Sequence, residues 1–228
     1  MKKTAVLRHF SFMIGVVSVL SLVSGCSNTT LKIKDDSAHT PMIKSSWAIN
    51  ESFTAELDVA KTKGDSAYLH PAGRGLNLGA LSVPGPATLE NDFTLQSSYL
   101  GLSVNIIERP HTVINAAAGL KKVDMDLDVL FAGTRYAFDG ESTGPSAKVD
   151  VIIPLSEKMY ALFYASLTIF EAGDDGHLFD GGISLEYRIH KNTYLHAGWL
   201  GWDYENTNYK SDINIDTDGL SYGLRFAF

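Results

Sequence analysis

The chain has 228 residues, enough for one large domain or two small ones, and 45% of them are hydrophobic. Its formal net charge is −7. Without the three bases of the predicted signal peptide, 16 basic residues face 26 acidic ones, a net charge of −10. This acidic balance argues against nucleic acid as a partner, because phosphate binding needs a basic surface. No apolar run reaches the roughly 18 residues that a membrane-spanning helix needs.

The first 25 residues have the features of a secretion signal. Lys2, Lys3 and Arg8 form a positive region, and an apolar stretch of 14 residues follows at 10–23. This order of a short basic region and a short apolar region is typical of signal peptides. We therefore predict a signal peptide over 1–25.

The end of this segment, Leu22-Val23-Ser24-Gly25-Cys26, resembles the lipobox of bacterial lipoproteins. In such proteins the cysteine thiol carries a diacylglyceryl group. Cys26 is the one cysteine in the sequence, so it has no partner for an intrachain disulfide. We predict lipidation at Cys26, and Ser27 by the same resemblance indicates sorting to the outer membrane. An ordinary signal peptide followed by an accidental cysteine is the alternative.

Residues 26–46 are mostly polar and include a proline, which predicts a flexible, lipidated tether. From Phe53 onward apolar and polar residues alternate with a period of two, which predicts strands with one apolar face. The candidate strands lie near 53–60, 73–83, 99–106, 114–120, 127–138, 147–153, 160–170, 179–189, 195–204 and 219–228. The period is weak at 73–83, so the sequence predicts eight to ten strands. We favour ten, because ten places both termini on one side of a barrel.

The predicted connections alternate in length. Those at 139–146, 171–177 and 205–218 are long, and those at 121–126, 154–158 and 190–192 are short. Long loops on one side and short turns on the other are typical of transmembrane barrels. The connections of a β-sandwich, the alternative fold, are not sorted in this way. The prediction is an all-β, antiparallel up-and-down transmembrane barrel over residues 47–228.

The last strand carries the most regular pattern, with apolar residues at every second position from Leu220 to Phe228. It resembles the closing strand of bacterial outer-membrane barrels, in which a terminal phenylalanine serves as the insertion signal. That resemblance assigns this role to Phe228 and implies the barrel-assembly machinery as a partner.

The stretch 218–228 also resembles the closing strand of the YfaZ family of outer-membrane proteins, and the hairpins at 149–162 and 182–199 are similar to that family. The likeness covers about residues 95–228 at the level of pattern. It implies an outer-membrane barrel without a defined activity or catalytic residues. The lipobox departs from the plain signal peptide of that family.

Polar residues on the predicted inner face are the main candidates for function. A barrel of eight to ten strands has a narrow interior filled by side chains. Unpaired buried charges are costly, so opposite charges there are expected to pair. We predict a plug of ion pairs, and the alternative is a narrow pore lined by the same residues. The predicted set is Arg135, Lys148, Asp150, Tyr160, Tyr164, Glu186, Arg188, His196 and Arg225.

Two other kinds of site receive less support from the sequence. Ser184, Glu186 and His196 are the residue types of a lipid A-type deacylase, but catalysis needs them within hydrogen-bond reach, which spacing does not show. The acidic stretches Asp174-Asp175 and 212–218 offer oxygen ligands for Ca²⁺ without an EF-hand spacing, and solvated loops are the simpler interpretation. The sequence contains no phosphate loop or zinc spacing, so we predict no catalytic residues and no cofactor.

Trp199, Trp202, Tyr204 and Tyr222 lie near predicted strand ends and predict an aromatic girdle at a membrane interface, with the core of a soluble sandwich as the alternative. The sequence as a whole predicts a small outer-membrane lipoprotein of a Gram-negative envelope, with a structural or surface-interaction role. Its predicted partners are outer-membrane lipid and the barrel-assembly and lipoprotein-sorting machineries.

Overall fold

The computed structural model describes residues 30–70, 75–78, 81–170, 176–206 and 212–228. Within these ranges the chain is almost entirely β-strand, and no helix there is long and apolar enough to cross a membrane. The predicted signal peptide, Cys26 and the pair Asp174-Asp175 lie outside the described residues.

Eleven strands make up the described chain. Their lengths range from 4 residues in a small hairpin to 23 residues in β5. In chain order they are β1 (Thr30–Ala48), β2 (Phe53–His70), β3 (Gly75–Leu78), β4 (Leu81–Pro84), β5 (Ala87–Arg109), β6 (Thr112–Phe131), β7 (Thr134–Pro154), β8 (Met159–Phe170), β9 (Gly176–His190), β10 (Thr193–Asn206) and β11 (Asp212–Ala227).

Nine of these strands close into a barrel in the order β1-β11-β10-β9-β8-β7-β6-β5-β2, while β3 and β4 form a separate hairpin. The predicted all-β barrel is therefore confirmed, with a strand count inside the predicted range of eight to ten. The favoured count of ten differs by one because two of the predicted strands are not separate barrel strands and one barrel strand was not predicted. The segment 73–83 supplies the hairpin rather than a barrel strand, and the segment predicted as a tether supplies β1. In addition, 127–138 spans the end of β6, a turn and the start of β7.

The turn inside 127–138 consists of two residues, Ala132 and Gly133, both with positive φ (51° and 78°). Two consecutive positive φ values are the geometry of a type I′ hairpin, whose twist matches that of the flanking strands. Glycine adopts such values freely, whereas alanine does so at some steric cost. Because the turn has only two residues, the alternating pattern runs through it almost without interruption, and the sequence therefore indicates one strand where the chain forms the end of β6 and the start of β7.

The segment predicted as a tether is instead a barrel strand from Thr30 onward. In β1 the residues Leu31 and Ile33 are fully buried inside the barrel, while Lys32 and Lys34 point outward. The strand pairs with β2 on one side and with β11 on the other. The polar composition of 30–46 thus reflects an exposed outer face rather than a disordered chain.

β1 and β11 run parallel, which distinguishes this seam from all the other, antiparallel pairs of the barrel. A ring with an odd number of strands requires one such pair. The backbones approach closely, since a Cβ on Gly223 would lie 1.7 Å from the carbonyl oxygen of Met42. With nine strands, Thr30 and Phe228 lie at opposite ends of the barrel, unlike the predicted arrangement with both termini on one side.

The end of the barrel at Phe228 carries the short connections 49–52, 110–111, 155–158 and 191–192. We call the half of the barrel next to these turns the lower half, and the half next to Thr30 the upper half. The predicted turns near 154–158 and 190–192 are present. The predicted connections at 121–126 and 139–146 are wrong, because they lie inside β6 and β7, and the described residues of the predicted connection 205–218 belong to β10 and β11.

Candidate functional site

The two halves of the barrel have opposite polarity, and β6 shows the change within one strand. Its outward residues Ala118 and Leu120 are apolar and exposed, and the next outward residues, Lys122 and Asp124, are charged. The inward residues change in the opposite sense, from Lys121 in the lower half to the buried series Val123, Met125, Leu127 and Val129 in the upper half.

The outward apolar positions of the lower half form a continuous surface around the barrel, which we call the belt. It covers about nine residues of each strand, a height of about 23 Å at ~3.3 Å per residue and a tilt of roughly 40°. Lipid-facing bands of transmembrane barrels are about 25 Å tall. Exposed members on eight of the nine barrel strands are Ile43, Leu57, Leu102, Leu120, Phe163, Ile183, Trp199 and Leu220.

Lys148 lies at the centre of the lower interior, surrounded by three carboxylates. Its Nζ is 2.6 Å from Glu56, 2.9 Å from Asp58 and 3.4 Å from Asp150, and its side chain is 8% exposed. Since Lys148 belongs to β7 whereas Glu56 and Asp58 belong to β2, the ammonium group joins two strands across the lumen.

Two further ion pairs cross the lumen. The ammonium of Lys121 on β6 pairs with Asp180 on β9 and donates to the hydroxyl of Ser166 at 2.8 Å. The guanidinium of Arg225 makes a bidentate pair with Glu186, with contacts of 2.7 to 2.9 Å. Charge-assisted bonds of this kind are the strong ones in proteins, and here they tie non-neighbouring strands together.

Lys44 is the exception within this network. Its side chain is buried, and its Nζ lies 4.3 Å from the centre of the Tyr164 ring, a cation–π contact. Among the described residues no carboxylate lies within ion-pair distance of it. Lys44 is the register neighbour of Asp58 on β2, so its charge still offsets part of the acidic excess around Lys148.

A polar cavity of about 180 Å³ lies in the lower lumen. Its lining combines the charged groups just described with Ser46, Thr54, Ser103, Asn105 and Asn115. A cavity of this size and polarity holds a few water molecules. It shows that the lower lumen is not completely filled by protein atoms.

The upper interior, in contrast, is packed with apolar side chains. The β3–β4 hairpin contributes to the same cluster, because Leu76, Leu81 and Val83 are buried among residues that line the barrel. Buried side chains at the density of a protein core leave few voids larger than a water molecule. The polar lower lumen therefore ends against an apolar layer. Barrel residues of this layer include Leu31, Ile33, Phe93, Leu95, Val123, Met125, Leu127, Leu178, Tyr204 and Ile215.

The structure brings most, but not all, of the predicted inner residues together. Lys148, Asp150, Tyr164, Glu186, His196 and Arg225 all point into the lower lumen. Arg135 lies on the outer face near the upper end of β7, where it forms exposed ion pairs with Asp92 and Asp128. It faces outward because β7 directs its even-numbered residues inward.

Two other predicted residues lie at the lower rim rather than in the network. The guanidinium of Arg188 donates to the carbonyl oxygen of Glu157 in the 155–158 turn, at 2.5 Å. The hydroxyl of Tyr160 donates to the same carbonyl oxygen at 3.4 Å. Both side chains therefore support this turn.

Among the described residues no hydrogen bond joins Ser184, Glu186 and His196, the residue types of a deacylase. Nε2 of His196 lies 3.3 Å from the hydroxyl of Ser221, while the hydroxyl of Ser184 has no hydrogen-bond partner among the described residues. Glu186 is already paired with Arg225. The described residues also contain no group of three or more His, Cys, Asp or Glu side chains placed to hold a metal ion.

Phe228 is fixed in the parallel seam. Its N–H donates to Ser46 at 2.9 Å, its carbonyl accepts from Ala48 at 3.0 Å, and its ring stacks on Trp47 with centroids 6.2 Å apart. The predicted aromatic girdle is divided between the outer and inner faces of the barrel wall. Trp199 and Tyr222 are exposed in the belt, whereas Trp202 and Tyr204 are buried inside the barrel.

Acidic residues dominate the outer face of the upper half, and some oppose each other directly. Asp203 and Asp216 are register partners on β10 and β11. Partial burial, together with the carboxylates of Asp203, Asp218 and Asp36, raises the pKa of Asp216 above its ordinary value, although Lys34 opposes this. Because the pKa of Asp216 is higher in the folded than in the unfolded protein, ionisation of this carboxyl destabilises the fold. The stability is lost as the pH rises from the ordinary carboxyl pKa through the raised one.

We therefore expect Asp216→Asn to stabilise the barrel at neutral pH by about 0.5 kcal/mol, the size of an unfavourable cross-strand pair. The gain in stability should disappear below about pH 4, where the wild-type carboxyl is protonated and residue 216 is uncharged in both proteins. Urea unfolding of the two proteins at pH 7 and pH 3.5 measures the difference. An equal gain at both pH values would contradict an electrostatic origin.

Sequence reasoning missed five members of the lumen network: Lys44, Glu56, Asp58, Lys121 and Asp180. Lys44 lay in the predicted tether and Lys121 in a predicted turn. Glu56 and Asp58 alternate with apolar residues in the predicted strand 53–60, but the period alone does not show that their face is the inner one. Continuing the alternation of β6 through 121–126 is the signal that places Lys121 inside.

Comparisons with protein-family models, with curated proteins and with solved structures gave no match. The resemblance to the YfaZ family therefore stays a prediction.

Proposed function

We propose that this chain is a small outer-membrane β-barrel of a Gram-negative envelope, with the lower half in the bilayer and the upper half projecting from it. The reversal of polarity between the two halves carries this proposal. A soluble barrel has no reason to expose an apolar belt around one half while enclosing charges within it. A bilayer supplies that reason, because the belt then faces lipid and the charges are shielded inside.

The role that this arrangement supports is structural or surface-directed rather than catalytic. Ion pairs cross the lower lumen, and an apolar core fills the upper interior, so a filled, rigid barrel describes the arrangement better than an open channel does. The projecting half offers a largely acidic surface to the surroundings. The proposed partners are outer-membrane lipid and the barrel-assembly machinery, for which Phe228 in the closing seam is the insertion signal.

The same proposal includes a signal peptide over 1–25, lipidation at Cys26, the lipoprotein-sorting machinery as a partner and membership of the YfaZ family. These four points rest on the sequence patterns. Mass spectrometry of the mature protein tests the first two. A lipidated amino terminus at Cys26 adds the mass of the acyl groups, and cleavage at another residue would contradict the lipobox interpretation.

We expect the refolded protein to produce no steady conductance in a planar bilayer, since the apolar layer above the polar cavity excludes ions. Gel heat-modifiability of the same sample shows that the barrel is folded. Steady, salt-dependent current steps would instead support the narrow pore, the second function considered. The specific observation that favours the pore is the polar cavity of about 180 Å³ in the lower lumen.

A further inference from the structure

We propose that the barrel binds the phosphate head group of an anionic lipid at a basic patch on β1, β2 and β5, directly above the belt. This inference rests on the proposed membrane setting and names the lipid chemistry for one side of the barrel. The patch consists of His39, Lys61, Lys63, Thr94, Gln96 and Ser98, all on the outer face.

The position of the patch follows from the order of outward residues along the strands. On β2 the belt ends at Val59, Lys61 and Lys63 follow, and the first outward acid is Asp65. On β5 the belt ends at Leu100, and Ser98, Gln96 and Thr94 precede the first outward acid. Basic and neutral donor groups therefore occupy the level where a bilayer has its head groups.

The pairing of the strands brings these side chains together. Lys63 is the register partner of His39 on β1 and of Thr94 on β5, and Lys61 is the partner of Gln96. On one face of a sheet such partners have Cβ atoms about 5 Å apart. Two ammonium groups and several hydrogen-bond donors can thus reach one phosphate.

The lysines of the patch are unoccupied by protein carboxylates. Lys61 and Lys63 are exposed, and neither forms an ion pair within the part of the chain that the structure describes. Lys122, the register partner of Ser98 on β6, is in contrast neutralised by Asp124 and Glu141 at 3.2 and 3.1 Å.

The other side of the barrel has the opposite charge at this level, where Asp203 and Asp218 follow the belt on β10 and β11. Acids border the patch on β6, where Asp124 and Asp126 are the register partners of Gln96 and Thr94, so the basic groups of the patch are those of β1 and β2. Charge complementarity identifies the occupant as an anionic lipid, whose acyl chains lie along Ile43, Val59 and Leu100 while its phosphate meets the lysines.

Lipid selectivity of the full barrel in vesicles tests the proposal. The protein is inserted into phosphatidylcholine vesicles that contain a trace of spin-labelled phosphatidylglycerol or spin-labelled phosphatidylcholine, and the motionally restricted fraction of each label is compared. We expect the wild type to prefer the anionic label by about fivefold at low salt. The preference should fall close to unity in Lys61→Gln/Lys63→Gln.

Lys32→Gln/Lys34→Gln is the matched control, because it removes two exposed outward lysines of the upper half, far from the belt. This variant should keep the wild-type preference. Equal loss in both variants, or no preference in the wild type, would overturn the basic patch while leaving the membrane barrel intact. A protein that does not enter the vesicles as a heat-modifiable barrel would overturn the proposed function together with the patch.

Discussion

Lys148→Met is expected to destabilise the barrel by about 3–5 kcal/mol, the usual cost of breaking a buried ion pair by removing one partner. The substitution leaves Glu56, Asp58 and Asp150 together in the lower lumen without the ammonium group that contacts all three. Urea unfolding in detergent, followed by gel heat-modifiability, measures the loss.

Lys122→Met is the control, because Lys122 also contacts two carboxylates, but on the outer face with 43% of its side chain exposed. Exposed ion pairs contribute little to stability because water and salt screen them, so this variant should unfold close to the wild type. Adding Glu56→Gln and Asp58→Asn to Lys148→Met should restore much of the stability. Similar unfolding of the two lysine variants would show that Lys148 does not organise the lumen.

Leu102→Arg is expected to destabilise the barrel in lipid by about 2–4 kcal/mol, the cost of a basic side chain at the middle of a lipid-facing surface. Leu102 is 51% exposed and lies within the belt on β5. Thr88→Arg places the same side chain on the same face of the same strand, in the upper half. That variant should change stability by about 0.5 kcal/mol or less, as exposed substitutions usually do.

Urea unfolding of both variants in vesicles measures this contrast, and it tests the membrane setting itself. If the belt were exposed to water, Leu102→Arg would replace one exposed side chain by another and would cost no more than Thr88→Arg. Equal stability of the two variants would therefore contradict insertion of the lower half. That result would reject the proposed membrane setting and leave the barrel fold unaffected.

The period of two in the sequence was sufficient to predict the barrel, and in β8, β9 and β10 it located the strands closely, whereas β11 begins at Asp212, inside the predicted connection 205–218. It failed where the apolar set changes its phase. In β6 the apolar residues occupy even positions as far as Leu120 and odd positions from Val123 onward, while the strand continues without a break. The change looks like a polar turn in the sequence, because Lys121 and Lys122 both interrupt the apolar pattern.

β1 was missed for a related physical reason. Only its inward residues in the upper half are apolar, and its outer face there is charged, so a short window has the composition of a linker. The backbone hydrogen bonds of β1 are made with β2 and β11. The β-propensity of residues 30–48 does not predict this pairing, because it depends on other parts of the chain. A strand supported on both sides needs little apolar character of its own.

The lumen network could be predicted only in part. The sequence identified Lys148, Asp150, Glu186 and Arg225 as inner residues because they alternate with apolar neighbours. Their partners depend on which strands face each other across the lumen, and that depends on strand number and stagger. The bidentate pair of Arg225 with Glu186 spans two strand positions, and no local spacing in the chain encodes it.

The parallel seam has a consequence for the acyl chain proposed on Cys26. Thr30 begins β1 at the upper end, and 13 residues of strand separate it from Ile43 at the edge of the belt, a vertical distance of about 30 Å. The four residues from Cys26 to Thr30 span at most about 14 Å. A lipidated amino terminus can therefore enter the bilayer around this barrel only if the first part of β1 separates from β11. Insertion of the acyl chains into the bilayer would then break the pairing of β1 with β11, starting at the projecting end of the barrel.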